Sequence, residues 1–387
     1  MEVIFLIGAI QTVFLISLVL IKKTRTVADV MLSLGLLLAG IHLFSYYLHT
    51  LDGIGEYPLL YVCFLNLPML HGFLTYAYAD TITMKRQKIK WQYVLHLIPY
   101  ILFTLLLVFL VRDNNYESSE IVPKLLEHHL SVLILFSFCN HFLGPIYILF
   151  SIKILRRHRK NIGKWFSSTK NIDLNWLRYI LIINIIIWFL VVLISVLGFS
   201  SDLINEKSAE YIILTAMTLS VFFIGFFGIK QQVIYSGPIA NDNYKVINEV
   251  SKNHLGETSR KQESALKYGK SGLNDAMASQ IYTNLKTLIR DNAVYKNEEL
   301  TLVELAKQLK AHPNHLSQVI NEKEGKNFYN YINALRIKEF IKIASLPENK
   351  KYTMISLAYD CGFSTKSTFN KHFKLQTGKT PTDFFKA

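Results

Sequence analysis

At 387 residues, with 51% hydrophobic and 13% aromatic side chains and a mean hydropathy of +0.26, the chain is too apolar for an ordinary soluble protein of two or three domains. The formal net charge of +14 favours a polyanionic partner, DNA or anionic lipid. Only three cysteines are present, Cys63 and Cys139 inside apolar runs and Cys361 near the end, which excludes a disulfide-built extracellular scaffold.

Val3 to Ile21 is apolar apart from Gln11, Thr12 and Ser17, long enough to cross a bilayer and too continuous for an amphipathic soluble helix. A cleavable signal peptide calls for basic residues before the run and a small-residue cleavage site after it, and the sequence shows neither. Further apolar runs near 27–48, 58–80, 91–111, 129–151, 176–198 and 210–229 bring the expected number of spans to seven. Cytoplasmic loops collect Lys and Arg. The loops after the first, third and fifth runs hold 14 basic residues, among them Lys22, Arg86, Arg156 and Lys164, whereas the alternate loops hold only Arg112, Lys124 and Lys207. That asymmetry predicts an external N-terminus and a cytoplasmic C-terminus.

Ionisable and amide groups inside an apolar bundle are costly, so each is a functional candidate. Asp29 and Asp80 lie near cytoplasmic ends of their spans, where water reaches them. His71, Asn140 and His141 lie deeper. They are expected either to bridge helices or to line a signal pocket; a metal site with His96 lacks compact ligand spacing.

Residues 231–272 are rich in Lys, Asn, Ser and Gly and poor in large apolar side chains, which predicts a flexible linker with a reach on the order of 35 Å. Residues 230–387 carry a net charge of +9, against +5 for residues 1–229.

After the linker, Thr301 and Glu304 form a capping-box pattern ahead of Leu305 and Ala306, and after the turn 311–314 come Leu316, Val319 and Ile320 at helical spacing. Pro313 suits the first turn of that helix. An amphipathic helix is expected over 327–344. About 52 residues after the first unit the pattern returns: Thr353 at an N-cap, Leu357 and Ala358, a tight turn at Cys361-Gly362, and a helix capped by Ser364 with Phe369 and Phe373 facing inward. Two helix-turn-helix units joined by a helix follow. The second helix of such a unit enters the DNA major groove, which makes Lys366, Ser367, Asn370 and Lys371 candidates for base and phosphate contacts.

Residues 275–387 resemble the AraC/XylS family of bacterial transcription regulators. The match is carried by Gly362-Phe363-Ser364, Ser367, Phe369, Lys371, Phe373-Lys374, Gly378, Thr380-Pro381 and Phe384, with His315-Leu316-Ser317 in the first unit. Thr368 departs from the family, which more often has an aromatic residue or His there. The resemblance implies that both recognition helices read successive major-groove segments, with Asn314, Ser317 and Gln318 as the DNA-contacting positions of the first. It also implies structural roles for Ala306, Leu316, Ala358, Gly362, Phe363, Phe369, Phe373, Gly378 and Pro381, and a bacterial cytoplasmic membrane as the location.

No nucleotide-binding loop, kinase loop or nucleophile-base set is present in the soluble part, so no catalytic residue, cofactor or metal is expected. The expectation is an all-α chain: a polytopic bundle of seven transmembrane helices over 1–230, the linker over 231–272, and a cytoplasmic DNA-binding domain over 273–387. Its expected partners are double-stranded DNA, the lipid bilayer, an unidentified signal ligand and a second copy of the chain as a homodimer. A transporter or channel with an attached regulator, and a passively anchored regulator, are the competing functions.

Overall fold

The computed structural model describes residues 3–22, 25–51, 57–84, 88–114, 116–118, 120–169, 172–200, 206–235 and 273–386. It is all-α: among the described residues the only β pairing is one isolated antiparallel bridge between Phe166 and Thr301. Two compact units emerge, one from Met1–Arg157 with Leu174–Val233, the other from His158–Asp173 with Ile234–Ala387.

The first unit contains α1 (Val3–Leu20), α2 (Val27–Thr50), α3 (Pro58–Leu65), α4 (Pro68–Met84), a 3-10 turn (Trp91–Leu97) leading into α5 (Ile98–Asn114), the short α6 (Ile121–His128), α7 (Leu130–Ile162), α8 (Asn175–Ser200) and α9 (Glu206–Tyr235). Five of these segments are long and apolar enough to cross a membrane, and six if the α3–α4 pair counts as one. The seventh expected run lies on α9, where the apolar stretch is the shorter Tyr211–Phe227. Large side chains such as Val13, Phe109, Leu149 and Phe189 point outward, each more than 60% exposed. Such a surface suits hydrocarbon rather than water.

Small residues bring α1 and α2 together. A Cβ on Gly40 would collide with the Thr12 side chain, so this glycine lets the backbones approach closely. The third expected run is not one straight helix: α3 and α4 meet at a 42° bend. Pro68 lacks the N–H that would continue α3. At the break the fully buried Asn66 donates Nδ2 to Val62 O (3.1 Å) and Thr104 Oγ1 (3.0 Å).

Asp29 and Asp80 are buried, not water-exposed as their positions in the sequence implied, and both are partnered. Asp29 closes a capping box with Thr26 at the start of α2 and pairs with Lys22 at 3.0 Å. Asp80 accepts from Tyr93 Oη at 2.6 Å and pairs with Lys90 at 3.1 Å.

The second unit contains α10 (Asp275–Asn292), α11 (Leu302–Gln308), α12 (Pro313–Glu324), α13 (Phe328–Ala344), α14 (Met354–Asp360), α15 (Lys366–Thr377) and α16 (Pro381–Lys386). Its core has two lobes with one shared spine. Phe328, Tyr331 and Ile332 of α13 pack with Leu302, Leu305, Leu316 and Ile320 of the first helix-turn-helix. One turn further on, Ile337 and Phe340 of the same helix pack with Leu357, Phe363, Phe369 and Phe373 of the second. α10 adds Leu285 and Ile289 to the first lobe, and its Lys286 pairs with Glu324 of α12 at 2.6 Å. Of the expected linker, 231–235 continue α9, and 236–272 lie outside the described residues.

Candidate nucleic-acid interface

The second helix-turn-helix is built on caps and one strained turn. Thr353 accepts the Ser356 N–H at 3.1 Å and starts α14, which buries Leu357 and Ala358. Cys361 then turns inward, and burial pushes its thiol up to about 12, so it is a filler of the turn rather than a reactive group. Gly362 follows at φ +91°. A Cβ there would also lie 2.7 Å from the carbonyl oxygens of Tyr295 and Lys296. Both the dihedral and the neighbouring backbone therefore demand glycine. Phe363 closes the turn against Phe369, ring centroids 5.5 Å apart.

The cap of α15 is Thr365, not Ser364: Thr365 Oγ1 accepts the Thr368 N–H at 3.1 Å. The turn takes one more residue than its sequence suggests, because Ser364 Oγ is engaged elsewhere, 2.7 Å from Ser168 Oγ. From that start α15 sorts its side chains cleanly. Phe369, His372 and Phe373 are buried, while Lys366, Ser367, Asn370, Lys371 and Lys374 are exposed. The exposed set recurs at helical spacing on one face. Of this set, Lys366, Asn370, Lys371 and Lys374 border a surface groove of about 850 Å³ that also involves Met354 and Thr380. Gly378 ends α15 at φ +75°, and the buried Pro381 starts α16.

His372 is 3% exposed and meets the Tyr329 ring edge-on at 4.9 Å. Burial, then Lys371 and Arg336, lower its pKa to about 4. It is neutral at pH 7 and belongs to the core side of α15.

The first helix-turn-helix repeats the frame with different chemistry. Thr301 and Glu304 form the expected capping box, with bonds of 3.1 and 3.0 Å. His312 caps α12, its Nδ1 accepting the Asn314 N–H at 3.3 Å, and Pro313 takes the first helical position. Leu316, Val319 and Ile320 are buried. Asn314 and Ser317 are half-buried, and Gln318 is buried with Nε2 donating to Glu322 Oε1 at 2.9 Å.

Residues 305–387 match a family model described as a helix-turn-helix domain. The match runs from within α11 to α16, so it takes in both recognition helices and supports an AraC-like DNA-binding domain at this end of the chain. No curated protein and no solved structure matches the chain. Within the domain, Ala306, Leu316, Ala358, Phe363, Phe369 and Phe373 are all buried. Lys374, absent from the sequence-derived set, shares the exposed face of Lys371; its i+3 spacing from Lys371 is the signal that would have found it. Arg336 escaped sequence reasoning altogether, since an arginine on an amphipathic helix reads as surface, yet it is 1% exposed.

In the first unit, His71, Asn140 and His141 border one cavity of about 340 Å³, together with His42 and Asn184. His42 Nδ1 and His71 Nε2 are 2.9 Å apart, so one ring donates to the other. Asn140 Nδ2 donates to Phe136 O at 3.4 Å, while its buried Oδ1 lacks a partner among the described residues. The hydroxyl of Tyr78, which also borders the cavity, is likewise buried without a partner. His96 is engaged separately, with Tyr147 Oη at 2.8 Å and stacked on Phe73 at 5.1 Å.

Proposed function

We propose that the chain is a multi-pass membrane protein of the bacterial cytoplasmic membrane whose cytoplasmic helix-turn-helix domain binds specific DNA and regulates transcription. The observation that carries this is the exposed Lys366–Ser367–Asn370–Lys371–Lys374 face on α15, within the part of the chain that matches the helix-turn-helix family. Lysines at this position hold phosphates and fix register, and Asn and Ser reach base edges. The basic loops after the first, third and fifth apolar runs support an orientation with this domain in the cytoplasm. On this reading 1–230 is the membrane domain, 231–272 the connection and 273–387 the DNA-binding domain.

The membrane domain is proposed as the sensor. Its cavity is bordered mostly by apolar side chains, with His42, His71, Asn140 and Asn184 among them, which suits a small, largely apolar ligand bearing a hydrogen-bonding group. Such a ligand alters DNA binding only through a difference in affinity for two states of the protein.

Chromosomal occupancy by the full-length protein tests the proposal. Recovery from the membrane fraction together with discrete bound sites, abolished by Lys366→Ala/Lys371→Ala, is the expected result. His71→Leu should leave the protein level unchanged and alter occupancy. Diffuse occupancy, indifferent to the lysines, would rule the regulator out; occupancy untouched by His71→Leu and Asn140→Leu would leave the membrane part as an anchor.

A further inference from the structure

Residues 158–173, the end of α7 and most of the segment that leads on to α8, group with the helix-turn-helix unit. The contact combines backbone bonds, side-chain bonds and the packing of Trp165 against the first lobe of the core. The first N–H groups of a helix have no partner within the helix and must find one outside. Trp165 O accepts the N–H of Leu302, the first residue of α11, at 2.8 Å, and Gly163 O accepts that of Tyr329 in the first turn of α13 at 3.2 Å. Ser167 N donates to Leu300 O at 3.1 Å, completing the small antiparallel bridge at Phe166 and Thr301. The segment therefore caps two helices of the domain at once.

Ser167, fully buried, fills the space between them. Its carbonyl accepts from Arg336 Nη1 (3.2 Å) and Asn333 Nδ2 (3.1 Å), and its Oγ from Arg336 Nη2 (3.1 Å). The guanidinium also donates to Tyr295 O and Asn297 O and lies 5.9 Å from the centre of the Phe363 ring. It is held by carbonyl oxygens and one hydroxyl, and an unfilled socket would leave a buried cation with unmet donors. Burial lowers the Arg336 pKa to about 10, so the cation persists at neutral pH. Beyond the socket, Ser168 reaches Ser364 at the foot of α15.

We infer that the groove formed by the starts of α11 and α13 and the Arg336–Asn333 pair is a docking surface whose occupant is residues 163–169 of this same chain, and that the docked strap holds the two recognition helices as one DNA reader. The occupant is set by chemistry: the groove supplies helix-start N–H groups and a cation, and the strap presents carbonyls, one buried hydroxyl and no charge at Ser167. The strap is covalently continuous with α7 and α8, so it gives the apolar helices a route to the DNA-reading helices separate from 236–272. The DNA part of the inference rests on the function proposed above; the docking part does not.

The test uses full-length protein in lipid nanodiscs with Cys63, Cys139 and Cys361 replaced by Ala. Under mild oxidation Ser168→Cys/Ser364→Cys should cross-link more than about tenfold faster than Ser168→Cys/Gln376→Cys, because Gln376 lies roughly 18 Å further along α15. Equal rates would overturn the docking. The oxidised Ser168→Cys/Ser364→Cys protein should keep its affinity for a two-segment DNA site within about twofold, whereas Ser167→Leu, which overfills the socket, should lose about thirtyfold on that site and little on a single segment. Loss of two-segment binding on cross-linking would overturn the coupling, as would unchanged binding by a folded Ser167→Leu protein. If Ser167→Leu fails to fold, the cross-linked form decides. If the Ser168→Cys/Ser364→Cys protein cross-links as expected but neither it nor the wild type binds DNA, the regulator reading falls and the docked strap stands.

Discussion

The two helix-turn-helix units share a frame and differ in the surface they offer. α11 begins at Leu302 and α14 at Met354, α12 at Pro313 and α15 at Lys366, so the second turn is one residue longer. The inward positions correspond: Leu316 with Phe369, Ile320 with Phe373, and Gly325 with Gly378, both glycines at positive φ closing their helices. The positions between them do not. Asn314, Ser317 and Asn321, half-buried, and the buried Gln318 stand in the first unit where the second has the exposed Ser367, Asn370, Lys374 and Lys371. The first set is neutral and partly bound within its own helix, since Gln318 holds Glu322 and Asn321 donates to Ser317 O at 2.6 Å. The second is cationic and exposed. On the proposed function, the difference teaches that one fold, repeated, would divide the work: α15 for phosphate attraction and α12 for short-range polar contact with base edges.

The largest expected effect comes from the turns. Gly362→Val forces a branched side chain into positive φ against two carbonyls, at a cost above about 3 kcal/mol. A melt of full-length protein should show the helix-turn-helix transition displaced or lost, together with DNA binding. Next in size is the charge difference. Lys366→Ala/Lys371→Ala/Lys374→Ala should lower affinity about a hundredfold and reduce the salt slope by about 3, whereas Asn314→Ala/Ser317→Ala should leave the slope alone and relax base preference. A titration across salt concentrations on a selected site and on a single-base variant of it separates the two; an equal slope change in both would erase the comparison.

A smaller effect distinguishes His372 from its counterpart Val319. The folded pKa of His372 is lowered to about 4, so as pH falls below about 6.5 the unfolded chain takes up the proton first. Stability is full above that range and declines as pH falls toward 4, by about 2 kcal/mol at pH 5. Denaturant melts at pH 7 and 5 should show that decline, and His372→Phe should reduce it. The smallest effect lies at the first turn, where the exposed Lys310 sits at φ +51° at the place Gly362 occupies in the second. Lys310→Gly relieves that strain but loosens the unfolded chain, for a net change below about 1 kcal/mol.

Much of this was legible in the residues. Thr301 with Glu304, Pro313, Thr353 and the turn at Gly362 announced their helices through local capping and backbone rules, and the inward phenylalanines followed from spacing. The all-α architecture was equally plain from apolar runs. What could not be read depended on contacts between distant parts of the chain. Ser364 loses its capping role to Thr365 and faces Ser168, far away in sequence. The bend at Asn66–Pro68 hides inside an apolar run because composition ignores one missing N–H. Arg336 is buried because Ser167 arrives to meet it, and nothing near either residue in sequence signals the other. Among the candidates for the bundle, His71, Asn140 and His141 do border a common cavity, but the partner of His71 is His42, on another helix.

The central claim is that the two recognition helices read DNA together. Full-length protein in nanodiscs, used to select genomic fragments at moderate salt, tests it most directly. The account predicts a shared motif in two segments about one helical turn of DNA apart, the segment read by α15 being lost in Lys366→Ala/Lys371→Ala. Recovery of sequence-independent fragments whose yield simply falls with salt would contradict it.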